Sequence, residues 1–365
     1  MKMRVNRQEL VEALGAAVGV AATRTPKPIL QCVLVEAHAD HCVLKATDLE
    51  LSIRYTVSQV EVEKEGRVLV SADKLSQIVR ESGDEVLDLE VDEGACHIRG
   101  QDSHFRIYVQ SPEEFPPVPE MAGDPDFEVE TAVLRRLTEW TVFAAARENS
   151  RYAINGVLWE KEKNKLVLVA TDGRRLSKAV GEAQGAKDGP LRAIVPGKAM
   201  MLFLRVLSED DPSARVKLTG NQVLLQSRRA TVSSALVEGQ FPRYQDVIPV
   251  DNDKKAELGT AEFLSAIRRA ALLTNEESKA VRLSFVKDEL TFSSRSPDQG
   301  EAVIKMLAAY QGPSIEIGFN PVFLCDVLKV VNTDQVGFEM TEPNRPGLVR
   351  CGTDFLYVIM PLNLS

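Results

Sequence analysis

VLKATDLELSI at residues 43–53 and VLVATDGRRLSKA at residues 167–179 are one pattern written twice, 124 residues apart. ELTFSSRSPDQGEAV, residues 289–303, occupies the corresponding place a third time. A fixed period of this length marks a chain built from one repeated unit. Upstream, MRVNRQELVEALGAAVGV (3–20) matches FEVETAVLRRLTEWTVFAA (127–145) and AELGTAEFLSAIRRAALL (256–273), each a short strand feeding a helix. Leu10, Leu134 and Phe263 correspond, with offsets of 124 and 129. Downstream comes a strand and a second helix: VLVSADKLSQIVRE from Val68, AIVPGKAMMLFLRVL from Ala193 and IEIGFNPVFLCDVLKVV from Ile315. Paired strands close each unit, and the first two end in similar tails, EEFPPVP and GQFPRYQDVIP.

The boundaries follow from composition. Five of the 18 prolines lie between Pro112 and Pro125, and VDNDKKAE from Val250 is polar and charged, as a linker is. Three domains result, 1–122, 127–250 and 254–365. Runs such as KLVLVATD and VLLQSRRATVSSAL are β-branched or alternating, whereas VLRRLTEWTVFAAA has helical spacing. The fold class is therefore α+β, two helices per repeat on antiparallel sheets, with the helices expected on one sheet face. In the third helix Val133, Leu137, Trp140 and Ala144 form the apolar stripe, and Arg135, Arg136 and Glu139 lie away from it.

The 365 residues are 44% hydrophobic, which places the chain among globular proteins. Their net charge of −9 argues, on its face, against a polyanionic partner. Placement reverses that reading. The candidate helices 6–17, 72–81, 131–147, 197–207, 260–273 and 320–331 together carry +4, leaving −13 on strands and loops. Equivalent helices facing one side would form a basic band that follows phosphates without reading bases.

The five cysteines, Cys32, Cys42, Cys96, Cys325 and Cys351, are irregularly spaced and form neither a disulfide framework nor a C-x-x-C pair. The start MKMRVNRQEL lacks the apolar core of a signal peptide, and no stretch has a membrane-spanning run. A cytoplasmic protein is expected. Asp48 and Asp172, in the repeated Ala-Thr-Asp, are the best candidates for a paired-acid metal or catalytic site. They belong to different repeats, and an Asp after a strand is usually a turn residue. The four histidines, His38, His41, His97 and His104, all fall in the first repeat, and His38-Ala-Asp-His41 reads as a hairpin turn. No nucleophile–base–orienter set or Gly-rich phosphate loop is present, so no enzyme, cofactor or metal is expected.

The triplication, the two Ala-Thr-Asp segments, TPKPIL (25–30), RYAINGVLWE (151–160), ATDGRRL (170–176), GFN (318–320), the FPxYxxVIP tail and the C-terminal YVIMPLNL together resemble the bacterial sliding clamp, the beta subunit of the replicative DNA polymerase III. The resemblance runs along the whole chain. It implies a head-to-tail homodimer whose six clamp domains close a ring on double-stranded DNA, helices inside and sheets outside. It also implies a clamp loader, the polymerase catalytic subunit and other replication and repair proteins as partners, with a place on the nucleoid.

Arg24, Arg136, Arg151, Tyr152, Lys198 and Arg205 are the DNA-facing candidates, Arg24 and the Arg151–Tyr152 pair by resemblance. The family's protein-docking pocket maps onto Ile154, Thr171, Gly173, Arg174, Arg175, Leu176, Pro242, Val247, Val358, Ile359, Met360, Pro361 and Leu362, and an apolar groove there suits an extended peptide with leucine or phenylalanine anchors. For the dimer, the resemblance implies that Phe105 and Ile107 pack on Leu272 and Leu273 of another copy, flanked by a Lys74–Glu301 ion pair. Phe105 and Ile107 share one face of HFRIYVQ, as such a patch needs. The chain departs from the family pattern at Asp246, where a basic residue is expected, at Arg174, where histidine is common, and in ending Asn363-Leu364-Ser365. Altered peptide preference is the implied consequence. The reading from a different class is a three-repeat docking scaffold that never encloses DNA.

Overall fold

A computed structural model describes residues 1–92, 94–147, 153–185, 189–274 and 280–363. Six α-helices occur among them, α1 (Arg7–Val20), α2 (Ala72–Glu81), α3 (Thr131–Thr141), α4 (Gly197–Val206), α5 (Thr260–Ala271) and α6 (Pro321–Val330). Their starts are written locally. The Asn6 side chain accepts the Glu9 N–H at 3.0 Å, Ser71 accepts from Lys74 at 3.4 Å, and Asn320 accepts from Val322 with Pro321 in the first turn.

Each repeat runs strand, helix, three-stranded meander, strand, helix, three-stranded meander, and repeats one and three add a strand after the first meander, Val60–Lys64 and Ala309–Gln311, which pairs beside the opening strand. The strand before the first helix heads the sheet of the second meander, and the strand before the second helix heads that of the first. Thus Lys2–Asn6 pairs with Val86–Val91, while Gly66–Ser71 pairs with Cys32–Ala37. This crossed pairing stitches both halves of a repeat together.

The chain condenses into two compact units, residues 1–135 with 183–185 and 198–236, and residues 136–182 with 189–197 and 237–363. Three repeats yield two units because the middle repeat is shared. In the first unit Leu51–Val57, which ends the first meander of repeat one, pairs antiparallel with Ala230–Ala235, which ends the second meander of repeat two, so one eight-stranded sheet spans both. In the second unit Arg175–Glu182 pairs in the same way with Phe355–Ile359, within a nine-stranded sheet. The register repeats as well, Val232 opposite Ile53 and Tyr357 opposite Ser177.

The helices contact more than the one sheet face expected from sequence. In the first unit α1 and α2 pack together, and α1 touches strands of both sheets, Lys2–Asn6 on one side and Cys42–Thr47 with Leu51–Val57 on the other. In the second, α5 and α6 pack together and α5 touches Lys254–Gly259 of the large sheet and the strands of the small one. Leu10, Ala13, Leu14 and Ala17 of α1 are wholly buried, as are Phe263, Ala266, Ile267 and Ala270 of α5. In α3 the buried stripe runs through Leu134 and Leu137, with Val133 only half-buried. Arg135, expected on the outer face, is half-buried and donates to the carbonyls of Leu204 (2.9 Å) and Leu207 (2.6 Å), capping the end of α4. Because α3 stops at Thr141, short of Arg147, the six helices carry +3 and the remainder −12.

The C-terminal repeat is held by an aromatic cluster. Phe338 stacks on Phe285 at 5.8 Å and meets Phe319 and Phe263 edge-on at 5.7 and 5.9 Å. Rings buried at such spacings add specific quadrupole contacts to their area burial. Phe338→Ala is expected to cost about 3–5 kcal/mol of unfolding free energy, measured as a lowered urea midpoint. An unchanged midpoint would show that the cluster does not hold the repeat.

Candidate functional site

Where Arg175–Glu182 meets Phe355–Ile359, the second unit has an apolar groove of about 220 Å³. Its floor is Leu176 and Val358, register partners that are both buried. One wall is Met360, 43% exposed and fixed by its N–H to the Arg174 carbonyl at 2.9 Å. The tail after repeat two supplies the other wall with Pro242, Arg243, Tyr244 and Val247. Beneath it Leu158, Val167, Val169, Ile194, Phe241 and Leu348 form one buried layer.

The turn Thr171–Arg174 sets the rim. Asp172 Oδ1 accepts the N–H groups of Arg174 (2.9 Å) and Arg175 (3.0 Å), and Thr171 Oγ1 accepts from Gly173 at 3.1 Å. Gly173 has φ +86°, the left-handed conformation that glycine adopts at least cost. Asp48 accepts the Glu50 and Leu51 N–H groups in the same manner and also binds Lys198 at 2.6 Å. Both aspartates of the repeated motif are thus turn residues. No cluster of three or more metal-ligating side chains occurs among the described residues.

Arg175 anchors the rim from below. Nε donates to Asp172 at 3.1 Å, Nη1 to Asp326 at 2.7 Å and Nη2 to the Phe143 carbonyl at 2.9 Å, and the guanidinium lies 4.4 Å from the Phe323 ring centroid. Burial works against its charge, but the Tyr357 phenol and the carboxylates of Asp326 and Asp172 outweigh that and raise its pKa. A planar fork with three fixed acceptors and a stacked ring is a role lysine cannot copy.

Ten residues expected at a pocket are brought together here: Ile154, Thr171, Gly173, Arg174, Arg175, Leu176, Pro242, Val247, Val358 and Met360. Three expected with them are not. Ile359 alternates to the opposite side of its strand and is wholly buried, and Pro361 and Leu362 continue past the groove, where the Leu362 N–H binds the Gly318 carbonyl. Arg243 and Tyr244 line the groove without having been singled out. Their signal was the tail itself, where Tyr244 stands between Pro242 and Val247.

Of the DNA-facing candidates, Arg24 is exposed just after α1, and Arg136 lies on α3 over the Trp140 ring at 5.2 Å. Lys198 is tied to Asp48, and Arg205 crosses α1 to reach the Gly15 carbonyl at 2.8 Å. A Cβ on Gly19 would come within 2.6 Å of the Arg205 guanidinium, so the bare Gly19 leaves room for this placement of the side chain. Arg151 and Tyr152 lie outside the described residues. At the candidate dimer edges Phe105 is 40% exposed, Ile107 and Leu273 are half-buried and Leu272 is 75% exposed. Lys74 is exposed, and Glu301 pairs with Arg295 of its own chain at 3.1 Å.

The family models for the N-terminal, central and C-terminal domains of the DNA polymerase III beta subunit match residues 1–119, 128–243 and 245–363. The chain belongs to the DNA polymerase III beta subunit family. Beta sliding clamps of Pseudomonas aeruginosa and Chlamydia pneumoniae are 32% and 31% identical to it, over all of this chain and 100% and 99% of theirs. The crystal structure of the Thermotoga maritima beta subunit superposes with a TM-score of 0.91 at 29% identity, both chains fully covered. That of the Pseudomonas aeruginosa clamp bound to griselimycin reaches 0.92 at 32%, again over both full chains. Members of the family are non-catalytic processivity subunits.

Arg175→Lys keeps the charge and loses the fork. We expect a stability loss of about 1–3 kcal/mol, read as a fall in urea midpoint. Wild-type stability in this variant would show that the three hydrogen bonds do not anchor the rim.

Proposed function

We propose that the chain is a DNA sliding clamp that closes head to tail with a second copy around duplex DNA and tethers the replicative polymerase to it. The observation that carries this is the rule of edge pairing. Twice, the strand ending the first meander of one repeat pairs with the strand ending the second meander of the next. Two such strands are left over, His104–Tyr108 of repeat one and Gly300–Leu307 of repeat three, and each is an edge of its sheet. Open edges carry unpaired N–H and C=O groups and invite a strand. A second chain obeying the same rule supplies it, and head-to-tail contacts of this kind close into rings.

The rule also sets a register. Phe105 pairs with Ile98 as Val232 does with Leu225 and Tyr357 with Val349, and Ala302 pairs with Ser294 as Ile53 does with Ala46 and Ser177 with Ala170. Phe105 then stands opposite Ala302 of the other copy, and Arg106 opposite Glu301. Phe105 and Ile107 would join the inward-facing Ala302 and Ile304 beside Leu272 and Leu273, which follow α5, the helix that packs on this strand. This register proposes an Arg106–Glu301 pair beside the Lys74–Glu301 pair implied by resemblance.

The basic helices supply weak phosphate contacts through Arg136, Lys198 and Arg205, joined by Arg24, Arg151 and Tyr152, while topology holds the ring in place. Domain limits near 1–122, 127–250 and 254–365 fit the linkers. The groove takes an extended peptide with leucine or phenylalanine anchors from the polymerase catalytic subunit, the clamp loader or repair proteins on the nucleoid.

The protein is expected to run at twice its chain mass, to remain on a closed circular DNA after loading and to leave once the circle is cut. Retention on the unblocked linear product would favour the scaffold reading instead. Phe105→Cys with Ala302→Cys should yield an oxidised dimer that neither single variant gives. Arg106→Glu should weaken the dimer and Glu301→Arg restore it, measured by sedimentation, and no rescue would refute the register. Met360→Glu should lower affinity for a leucine–phenylalanine peptide by roughly tenfold or more and leave the dimer intact.

A further inference from the structure

Tyr244 lines the apolar groove with one side and a second recess of about 320 Å³ with the other. That recess is more polar than the groove, and Lys165, Lys178, Arg192, Glu160 and Glu162 are among the residues around it. Its carboxylates are not equivalent. Glu160 is already engaged, accepting from the Tyr244 hydroxyl at 2.7 Å and drawing Arg192 to 3.6 Å. Glu162 is exposed at the hairpin turn, opposite Lys165.

Lys178 is the unusual member. It lies two residues beyond Leu176, so its side chain leaves the same strand face as the groove floor. It is half-buried, its ammonium is 5.8 Å from the Tyr244 ring centroid, and among the described residues no carboxylate lies within ion-pair distance of it or of Lys165. Burial lowers its pKa, and the charges of Lys165 and Arg350 push the same way against a smaller opposing effect of Glu160. A cation desolvated beside like charges gains from an arriving anion more than an exposed one does.

We propose that Lys178, with Lys165 and Arg192, forms a carboxylate subsite that continues the apolar groove past Tyr244 and selects docking peptides carrying an acidic group beyond their apolar anchors. It rests on the groove being a peptide site. Continuity through one shared side chain places the acid within reach of a peptide seated in the groove, and the recess carries more cations than free carboxylates. The apolar anchors supply the affinity, and the acidic group decides among peptides that share them.

The test uses the full-length dimer and fluorescent peptides with one leucine–phenylalanine anchor, flanked on either side by Asp or its neutral counterpart Asn. Each is made as a free acid and as a C-terminal amide, to separate a side-chain carboxylate from a terminal one. On wild-type protein at low salt one acidic form should bind roughly 3–10-fold more tightly than its neutral partner, an advantage that shrinks with added NaCl. In Lys178→Gln that ratio should fall towards one, and in Lys178→Arg it should persist, with thermal melts confirming that both fold. A ratio unchanged in Lys178→Gln, or no acidic preference on wild type, overturns the subsite while leaving the groove reading standing. If the neutral peptide fails to bind wild type and Met360→Glu alike, the groove reading itself has failed.

Discussion

The backbone at a sheet edge must find partners for its N–H and C=O groups, and this chain meets that demand by lending strands from one repeat to the next. Leu51–Val57 is completed by Ala230–Ala235, and Arg175–Glu182 by Phe355–Ile359. The compact units therefore cut across the repeats: a single sheet is harder to divide than the junction inside the middle repeat, where α3 passes from one unit to the other. The same demand leaves, among the described residues, the two terminal repeats with an unfilled slot of this kind, so the proposed assembly would continue the fold.

The groove is a by-product of that pairing. Leu176 and Val358 come from different repeats and become neighbours only because their strands share a register. Once they do, an apolar floor exists that neither repeat has alone. The tail carrying Phe241, Tyr244 and Val247 covers part of it, and Met360 stops short of covering the rest. Arg175 fixes the rim through Asp326, a residue of α6, so the groove's shape is tied to the packing of the third repeat.

Charge follows the same division of labour. Helices at +3 and the remainder at −12 put attraction and repulsion on different elements. Two of the basic side chains are already spent within the first unit, Lys198 on Asp48 and Arg205 on the α1 backbone. As proposed phosphate contacts, side chains that must first give up such partners would bind weakly, which suits sliding.

Repetition made the fold class, the order of elements and the turn role of Asp48 and Asp172 legible in the sequence, because hydrophobic period, caps and Asx turns are local properties. The family likeness located ten groove residues in the same way. What stayed hidden was set by neighbours distant in the chain. Ile359 differs from Val358 and Met360 only in facing the other side of a strand whose partner lies near residue 177. Arg135 looked solvated until the end of α4 was seen to need its carbonyls capped. Tyr244 could not be placed between two recesses without the sheet beneath it. The sequence by itself determined the repeating unit and where its strands and helices begin, since those depend on residues a few positions apart. Only the tertiary structure decided which strand edges pair, and with them the groove, the Lys178 recess and the two open edges, because edge pairing joins residues more than 150 positions apart.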